Sequence, residues 1–340
     1  MSLFTTELRR LAKRRFIRYM ALAGLLVLLA VAVGTALSNQ KVGPEQIAAA
    51  EAAAEQNYQE SLKWHEEHVR ECERVKTSGT AQEKEDFPAD CAEFMPPSRD
   101  DFRAEWFMPP TFDFRNKFGE FIFAFAAILA LIAFVVGASF VGAEWTTGGM
   151  MNLLLWRPQR LKVLLTKAGA LLTGLAGFTV LAAVPWTAGY WGIATYRGIT
   201  EGMTSGVWQS FALAGLRGVV LVLMAGLIGF AVASLGRHTA MALGAALGVM
   251  VVGQFGLGMV LAMAEVRFFQ AWLLPTYAIA WMERKVTLTD YNSCDYSASA
   301  GCLPKTMDIV WQDAGVLFAV AVVLMLGAAM WAMRRRDIAG

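Results

Sequence analysis

The chain has 340 residues, of which 56% are hydrophobic and 17% are charged, and its mean hydropathy is +0.45. Soluble domains contain about 45–50% apolar and about 25% charged residues, so this composition excludes an ordinary soluble enzyme, a disordered chain and a disulfide-rich miniprotein. Lys and Arg number 30 against 28 Asp and Glu, and the resulting net charge of +2 favours no particular class of partner.

The first predicted elements are a basic amphipathic helix over residues 1–18 and an apolar helix over residues 19–37. An apolar helix of about 20 residues is long enough to cross the hydrocarbon core of a bilayer. A signal peptide is the alternative, because basic residues precede the stretch and Gly34, Thr35 and Ala36 resemble a cleavage site. The apolar stretch is long for a signal peptide, which favours a retained helix.

A hydrophilic segment follows over residues 38–118. Positions 38–117 hold 17 acidic and 10 basic residues, a net charge of −7. Pro44 begins a stretch to Lys76 that is rich in Ala and Glu and has no internal Gly or Pro, which predicts one long helix. His65 and His68 lie on one face of it, one turn before Cys72. A hydrated charged helix is the default there, and a zinc or copper site is the alternative.

The rest of the chain contains five further apolar stretches with hydrophilic connections between them. They are residues 119–143, 163–186, 211–235, 239–264 and 314–333. Arg217 interrupts the third of these, where it either extends its charge towards the membrane surface or faces a pathway. The alternating ten-residue segments of a β-barrel do not occur. The fold class is therefore an all-α polytopic membrane protein with six transmembrane helices.

Residues 265–313, between the last two crossings, include an apolar stretch that contains Pro275. A seventh crossing there would place the cluster of Arg334, Arg335 and Arg336 on the exported side. We therefore predict a re-entrant or surface-lying helix pair, since non-helical backbone at membrane depth is tolerated where protein buries it.

Basic residues near the ends of the crossings predict the orientation, because cytoplasmic loops carry an excess of Lys and Arg. Six precede the first crossing, and the connection over residues 144–162 and the tail over residues 334–340 are also basic. Both termini and these connections are therefore expected on the cytoplasmic side of the inner membrane. Residues 38–118 and 265–313 are expected to be exported.

The cysteines agree with this orientation. Cys72 and Cys91 lie in the first exported segment, and Cys294 and Cys302 lie in the second. An oxidising compartment permits disulfides, so we predict the pairs Cys72–Cys91 and Cys294–Cys302. Four free thiols are the alternative.

Known catalytic patterns are missing from the sequence. No Gly-Lys dipeptide occurs, which excludes a phosphate-binding loop of the kind that classical ATPases use. No Ser/His/Asp set can be assembled, because His238 is predicted to lie across the membrane from the other two histidines. Nucleic-acid binding has no support beyond the basic N-terminus, which the membrane orientation already explains. The chain is predicted to have no enzymatic site and no metal site of its own.

The connection between the second and third crossings is the most informative stretch. An acid ends the second crossing, a Thr-Gly turn leads into a short apolar helix, and a basic turn with a proline leads into the third. These residues resemble the coupling segment of the ABC-2 family of ABC exporter permeases. The matching positions are Glu144, Thr147, Gly148, Pro158, Arg160 and Lys167. Thr-Gly-Gly stands where Gly-Thr is commoner, so the start of the coupling helix is expected to be shifted.

The resemblance implies a permease subunit that dimerises with a second protomer and is driven by cytoplasmic ABC ATPase subunits, which hold the ATP and magnesium. This chain would then bind no cofactor itself. In that family the second and fifth crossings of each protomer meet at the dimer axis. The side chains expected along the path are Phe123, Phe125, Phe134, Gln254, Phe255 and Met259. Their chemistry favours a lipid-, peptide- or drug-like amphipathic cargo. The alternative is a non-transporting sensor or assembly scaffold whose exported domain binds a partner.

Overall fold

A computed structural model of the chain describes residues 3–80, 82, 87–88, 90–156, 159–297 and 301–335, without the side chains of residues 291–297, 301 and 302. It divides into two compact units. The first, called here the bundle unit, contains residues 1–32, 115–191 and 201–340. The second, called here the hydrophilic unit, contains residues 33–114 and 192–200.

Helices make up most of the described chain. In chain order they are α1 (Leu3–Lys13), α2 (Arg15–Ser38), α3 (Pro44–Ser78), α4 (Phe114–Thr146), α5 (Gly149–Trp156), α6 (Arg160–Arg197), α7 (Ser205–Gly236), α8 (Thr239–Gly248), α9 (Leu257–Met263), α10 (Leu274–Glu283) and α11 (Trp311–Arg335). A π-helical segment over Val249–Gly256 joins α8 to α9 into one continuous rod. Within the described residues, six helices are long and apolar enough to span a membrane, which confirms the predicted all-α polytopic fold.

Two of the spanning helices, α4 and α7, pack with their backbones in contact. A Cβ placed on Gly137 of α4 would lie 2.1 Å from the carbonyl oxygen of Gly226 in α7, and one on Gly229 would lie 2.1 Å from the carbonyl oxygen of Phe134. Only glycine permits such an approach, and small residues at helix interfaces let membrane helices associate closely. These glycines therefore determine the spacing of α4 and α7.

The rod formed by α8, the π-helical segment and α9 is exposed along nearly its whole length within the bundle unit. The side-chain amide of Gln254, in this rod, has a partner within the protein. Its Oε1 accepts a hydrogen bond of 2.7 Å from the backbone N–H of Leu274. Leu274 begins α10, so this amide satisfies one of the backbone donors that a helix N-terminus leaves without a partner.

The connection between the last two crossings contains a short 3-10 helix, Phe269–Trp272, followed by α10, and it adds a hairpin that was not predicted. Strand β3 (Lys285–Ser297) pairs antiparallel with β4 (Gly301–Val310), and α10 precedes them. Val286 and Leu288 turn inward while Thr287 turns outward, the alternation of a strand with one buried face. The cluster that buries this face comprises Ala280, Leu288, Ile309 and Ala314.

In the hydrophilic unit, the long helix α3 ends near a disulfide bond between Cys72 and Cys91, whose Cα atoms lie 6.0 Å apart. The side chains of Cys294 and Cys302 lie outside the described residues. The hydrophilic unit also contains a short parallel pairing of β1 (Phe112–Asp113) with β2 (Gly198–Ile199).

The two histidines of α3 are also described. The ring of His68 packs on Trp64, with 3.9 Å between the ring centroids. No group of three or more His, Cys, Asp and Glu side chains in the described chain is placed to hold a metal ion.

Candidate coupling site

Helix α1 lies against α6 in the bundle unit. The side chain of Leu11 is buried beside Gly174, where an added Cβ would come within 2.3 Å of it. Phe4 lies near Gly169, one and a half turns earlier on α6. Phe4, Leu8 and Leu11 recur at the spacing of one helical face, which explains why α1 packs along α6. The apolar face of α1 is therefore partnered within the protein.

Glu7 lies on the same face of α1 and is completely buried. Its Oε2 lies 2.6 Å from the Nζ of Lys167, which is also completely buried. The same Nζ lies 2.6 Å from the Oε2 of Glu144, at the end of α4. The Oε1 of Glu144 in turn lies 2.6 Å from a guanidinium nitrogen of Arg14, in the residue that joins α1 to α2. These ion pairs form one continuous chain. It connects α1 to the start of α6, the start of α6 to the end of α4, and the end of α4 to the residue before α2.

Phe140 completes this cluster from the side of α4. The guanidinium of Arg14 lies 5.4 Å from the centroid of its ring, and the ammonium of Lys167 lies 5.2 Å from it. Arg14 also donates hydrogen bonds to the carbonyl oxygens of Ser139 and Phe140, at 3.2 and 2.9 Å. The two hydrogen bonds to carbonyl oxygens use guanidinium N–H groups of Arg14 that do not contact the carboxylate of Glu144.

The cluster contains two carboxylates, Glu7 and Glu144, and the cations Lys167 and Arg14, and the half-exposed Arg10 lies 3.2 Å from Glu7 at its edge. Each buried charge therefore has an opposite charge beside it, which is the condition under which buried charges are tolerated. Loss of one partner from such a pair leaves an uncompensated buried charge and costs about 3–5 kcal/mol. The cluster therefore stabilises one arrangement of the helices α1, α2, α4 and α6.

The chain turns sharply between α4 and α5. Gly148 has a φ of 72°, a left-handed conformation that glycine adopts without strain. The hydroxyl of Thr147 donates to the carbonyl oxygen of Ala143, 2.9 Å away, and so helps to close the end of α4. These two residues start the short helix α5 and set its direction.

Helix α5 is apolar on two faces. Met150 and Leu154 are buried in the bundle unit, whereas Leu155 is 70% exposed and Trp156 is 87% exposed. A cleft of about 450 Å³ lies beside this helix. It is lined by Arg10, Arg14, Glu144, Gly149, Asn152, Leu153 and Trp156. The exposed surface of α5 therefore combines an apolar tip with a basic cleft.

Two further residues of the predicted coupling segment follow α5. Pro158 lies outside the described residues. The guanidinium of Arg160, at the start of α6, donates to the carbonyl oxygen of Met333 at 3.3 Å. Met333 belongs to the last turns of α11, where the carbonyls have no helical partner. Arg160 therefore connects the start of α6 to the end of α11.

Of the predicted coupling residues, Glu144 and Lys167 meet in the ion cluster, whereas Thr147, Gly148 and Arg160 shape the segment around it. Glu7 and Arg14 belong to the same cluster and were not among the residues predicted from the sequence. The sequence does contain one indication that Glu7 is buried. It is the single acidic residue before position 45, and it lies on the apolar face of α1. A lone acid on an apolar face predicts a buried cationic partner.

The residues predicted for a path lie apart from this cluster. Phe123 and Phe134 of α4 are half-buried, and Phe125 is buried with its ring 5.5 Å from that of Trp186. On the rod of α8 and α9, Phe255 is 73% exposed and Met259 is 67% exposed. The amide of Gln254 is bound to the backbone of Leu274, as described above.

Comparison with known proteins gives one match. The family model described as ABC-2 family transporter protein matches residues 3–338. No curated protein and no solved structure matches the chain. The match covers nearly all of the sequence, including α1, the ion cluster, α5 and all six spanning helices. The chain therefore belongs to the ABC-2 family of transporter proteins.

Proposed function

We propose that this chain, the membrane component of an ABC transporter, is the permease subunit of an ATP-driven exporter. The observation that carries the proposal is the surface of α5, a short helix with an exposed apolar tip beside a basic cleft. The exposed residues Leu155 and Trp156 are fixed by the burial of Met150 and Leu154 behind them. A force applied to α5 would be transmitted through the Glu144–Lys167 pair to α4 and α6.

The partner proposed for this surface is an ABC ATPase subunit that holds ATP and magnesium. Buried Trp and Arg residues contribute most to protein interfaces, and Trp156 offers the first of these types. In the cleft, the half-exposed Arg10, which lies 3.2 Å from Glu7, would bind an acidic side chain of the partner through its remaining guanidinium N–H groups. The surface would therefore suit a partner that presents an apolar pocket next to a carboxylate.

The orientation that this proposal requires places α1, α5 and both termini in the cytoplasm, with the protein in the inner membrane. The basic residues of α1 and the Arg residues after the last crossing support that placement. Residues 38–118 and 265–313 would then be exported. The disulfide between Cys72 and Cys91 agrees with an oxidising compartment on that side.

A second permease protomer is proposed to cover the rod of α8 and α9. Apolar side chains are exposed along it, and the stripe of Val252, Phe255, Met259 and Met263 follows one face. Between two protomers this stripe, with Phe123 and Phe134 of α4, would form an adaptable apolar wall, because Met and aromatic side chains repack readily. Such a wall suits a lipid-, peptide- or drug-like amphipathic cargo.

The test is purification of the chain with the products of its neighbouring genes, followed by reconstitution of any ATPase that co-purifies, with ATP hydrolysis and cargo export measured in vesicles. Trp156→Ala should lower the affinity for the ATPase at least tenfold and lower export, because it removes the anchor of the interface. Trp331→Ala is the matched control, since Trp331 is an exposed indole near the end of α11. Equal loss in both variants would contradict docking through α5.

The same experiment decides between transport and the alternative of a sensor or scaffold. A scaffold would bind its partner through the exported domain, and no ATPase would co-purify in fixed ratio with the chain. Export that is stimulated by ATP and lowered by Trp156→Ala supports the permease. Absence of both an ATPase partner and export would support the scaffold.

A further inference from the structure

A cavity of about 430 Å³ lies between α4, α6 and α7, well away from the ion cluster. Its volume falls within the range of about 300–1,000 Å³ that small-molecule sites occupy. The described lining includes aromatic rings and small residues and contains no charged side chain. The lining residues that the argument uses are Phe125, Thr179, Ala183, Trp186, Trp208 and Gly215.

Two buried polar atoms of this lining lack partners. Among the described residues, neither the indole N–H of Trp186 nor the hydroxyl of Thr179 makes a hydrogen bond. Elsewhere on α6 the hydroxyls of Thr166 and Thr173 donate to the carbonyl four residues earlier, at 2.7 and 2.9 Å. Thr179 can turn to do the same. The indole N–H is fixed by its ring and requires an acceptor from outside its own helix.

The cavity adjoins a groove of about 620 Å³, and the two share the wall residues Val180, Ala183, Thr187 and Trp208. The groove is flanked by Val184, which is exposed. In a spanning helix, an exposed apolar side chain that no protein segment covers faces the hydrocarbon. A ligand that reaches the cavity would therefore come from the bilayer rather than from water.

The position of Trp186 indicates which part of such a ligand lies beside it. Trp186 is the last residue of the crossing predicted over residues 163–186, and Trp residues favour the boundary between hydrocarbon and headgroups. Phospholipid ester carbonyls lie at the same boundary. Thr179 lies two turns along α6, about 10 Å deeper. A ligand with a carbonyl at this boundary and hydrocarbon below it would match both residues.

We propose that this cavity binds one acyl chain of a bilayer phospholipid, whose ester carbonyl accepts a hydrogen bond from the indole N–H of Trp186. The aromatic rings of Phe125 and Trp208 and the small residues Ala183 and Gly215 enclose the chain. The headgroup stays at the membrane surface, since the described lining offers it no charged partner. The bound chain fills the space between three helices and so supports their packing.

Native mass spectrometry of the full chain tests this proposal. The protein is reconstituted in nanodiscs of dioleoyl phosphatidylglycerol, released into detergent, and assayed for retained lipid. Gly215→Leu places a side chain in the cavity, where an added Cβ meets no atom within 4 Å. Gly177→Leu is the matched control, because Gly177 has the same open surroundings and does not line the cavity. We expect loss of the lipid in the first variant only.

A second comparison tests the hydrogen bond. A dialkyl ether lipid with the same chains and headgroup lacks the ester carbonyl. The parent protein should retain the diester lipid about fivefold better, the ratio expected for one neutral hydrogen bond. Trp186→Phe keeps an aromatic ring, removes the N–H, and should abolish this preference.

Equal lipid retention in Gly215→Leu and Gly177→Leu would overturn the proposed site, and a preference that survives in Trp186→Phe would overturn the role of Trp186. Neither measurement involves ATP or a partner subunit. Failure of the lipid site is therefore distinguishable from failure of the proposed exporter function.

Discussion

The carboxylate of Glu7 and the ammonium of Lys167 lie 2.6 Å apart although 160 residues separate them in the chain. Both side chains are completely buried. Because Lys167 also pairs with Glu144, at the end of α4, one ammonium group connects three helices. The amphipathic helix α1 is thus attached to the spanning bundle by charge as well as by its apolar face.

Lys167→Met should destabilise the protein by about 3–5 kcal/mol, because it removes the one buried cation that Glu7 and Glu144 share. Adding Glu7→Gln should recover part of that loss, since Glu144 keeps its pair with Arg14. The midpoint of thermal unfolding in detergent measures both effects. Faster tryptic cleavage within α1 should accompany the loss.

The matched control is Glu71→Gln on α3, which breaks an exposed ion pair with Arg74. Exposed pairs contribute about 0–1 kcal/mol, so the midpoint should change little. Simple additivity of Lys167→Met and Glu7→Gln would contradict a shared buried cluster.

Gly137→Ala should destabilise the bundle unit by about 1–3 kcal/mol, because the added methyl would overlap the backbone of α7 at Gly226. Gly119→Ala on the same helix is the control, since a Cβ there meets no atom within 4 Å. The same unfolding midpoint measures both variants. A lower midpoint for Gly119→Ala than for Gly137→Ala would contradict the close packing of α4 and α7.

Replacement of Cys72 and Cys91 together by Ser should destabilise the hydrophilic unit by about 3 kcal/mol, because the disulfide closes a loop with a sequence separation of 19 residues. Limited proteolysis should then cut near the end of α3 faster than in the parent. Peptide mapping without reductant should recover Cys72 and Cys91 as one cross-linked pair in the parent. Recovery as free thiols would refute the bond.

The hairpin is expected to depend on pH through Asp308. Hydrogen bonds from Lys285 and Thr287 lower the pKa of this carboxyl, because they stabilise its charged form. A lowered folded-state pKa contributes stability that is present above the unfolded-state pKa and is lost as pH falls through the folded-state value. The protection of the β3–β4 amides against hydrogen exchange, taken relative to the intrinsic exchange rate at each pH, should therefore fall in acid.

Asp308→Asn removes this titration and should flatten the acid dependence of the protection factor. Asp313→Asn serves as the comparison, since Asp313 accepts a hydrogen bond from the backbone N–H of Val310 and has no cationic partner among its described contacts. An acid dependence that persists in Asp308→Asn would place the titrating group elsewhere.

The sequence alone predicted the six spans, the long helix α3 and the short helix between the second and third crossings, with Glu144 before it and Lys167 after it. Each of these follows from a property that short stretches carry locally, such as twenty consecutive apolar residues, a proline at a helix start, or a charge at the end of a crossing. The resemblance to ABC-2 permeases rested on the same kind of local motif, and the family match over residues 3–338 agrees with it.

The hairpin over β3 and β4 was missed although its alternating Val286, Thr287 and Leu288 are a strand signal, because the neighbouring apolar stretch with Pro275 suggested helices throughout. Only the tertiary structure decided that Glu7 meets Lys167, that Gln254 binds the backbone of Leu274, and that Trp186 is left without a hydrogen-bond acceptor among the described residues. The physical reason is that each of these depends on how distant helices pack. A side chain's periodicity gives the face on which it lies, whereas its partner is determined by which other helix is close to that face.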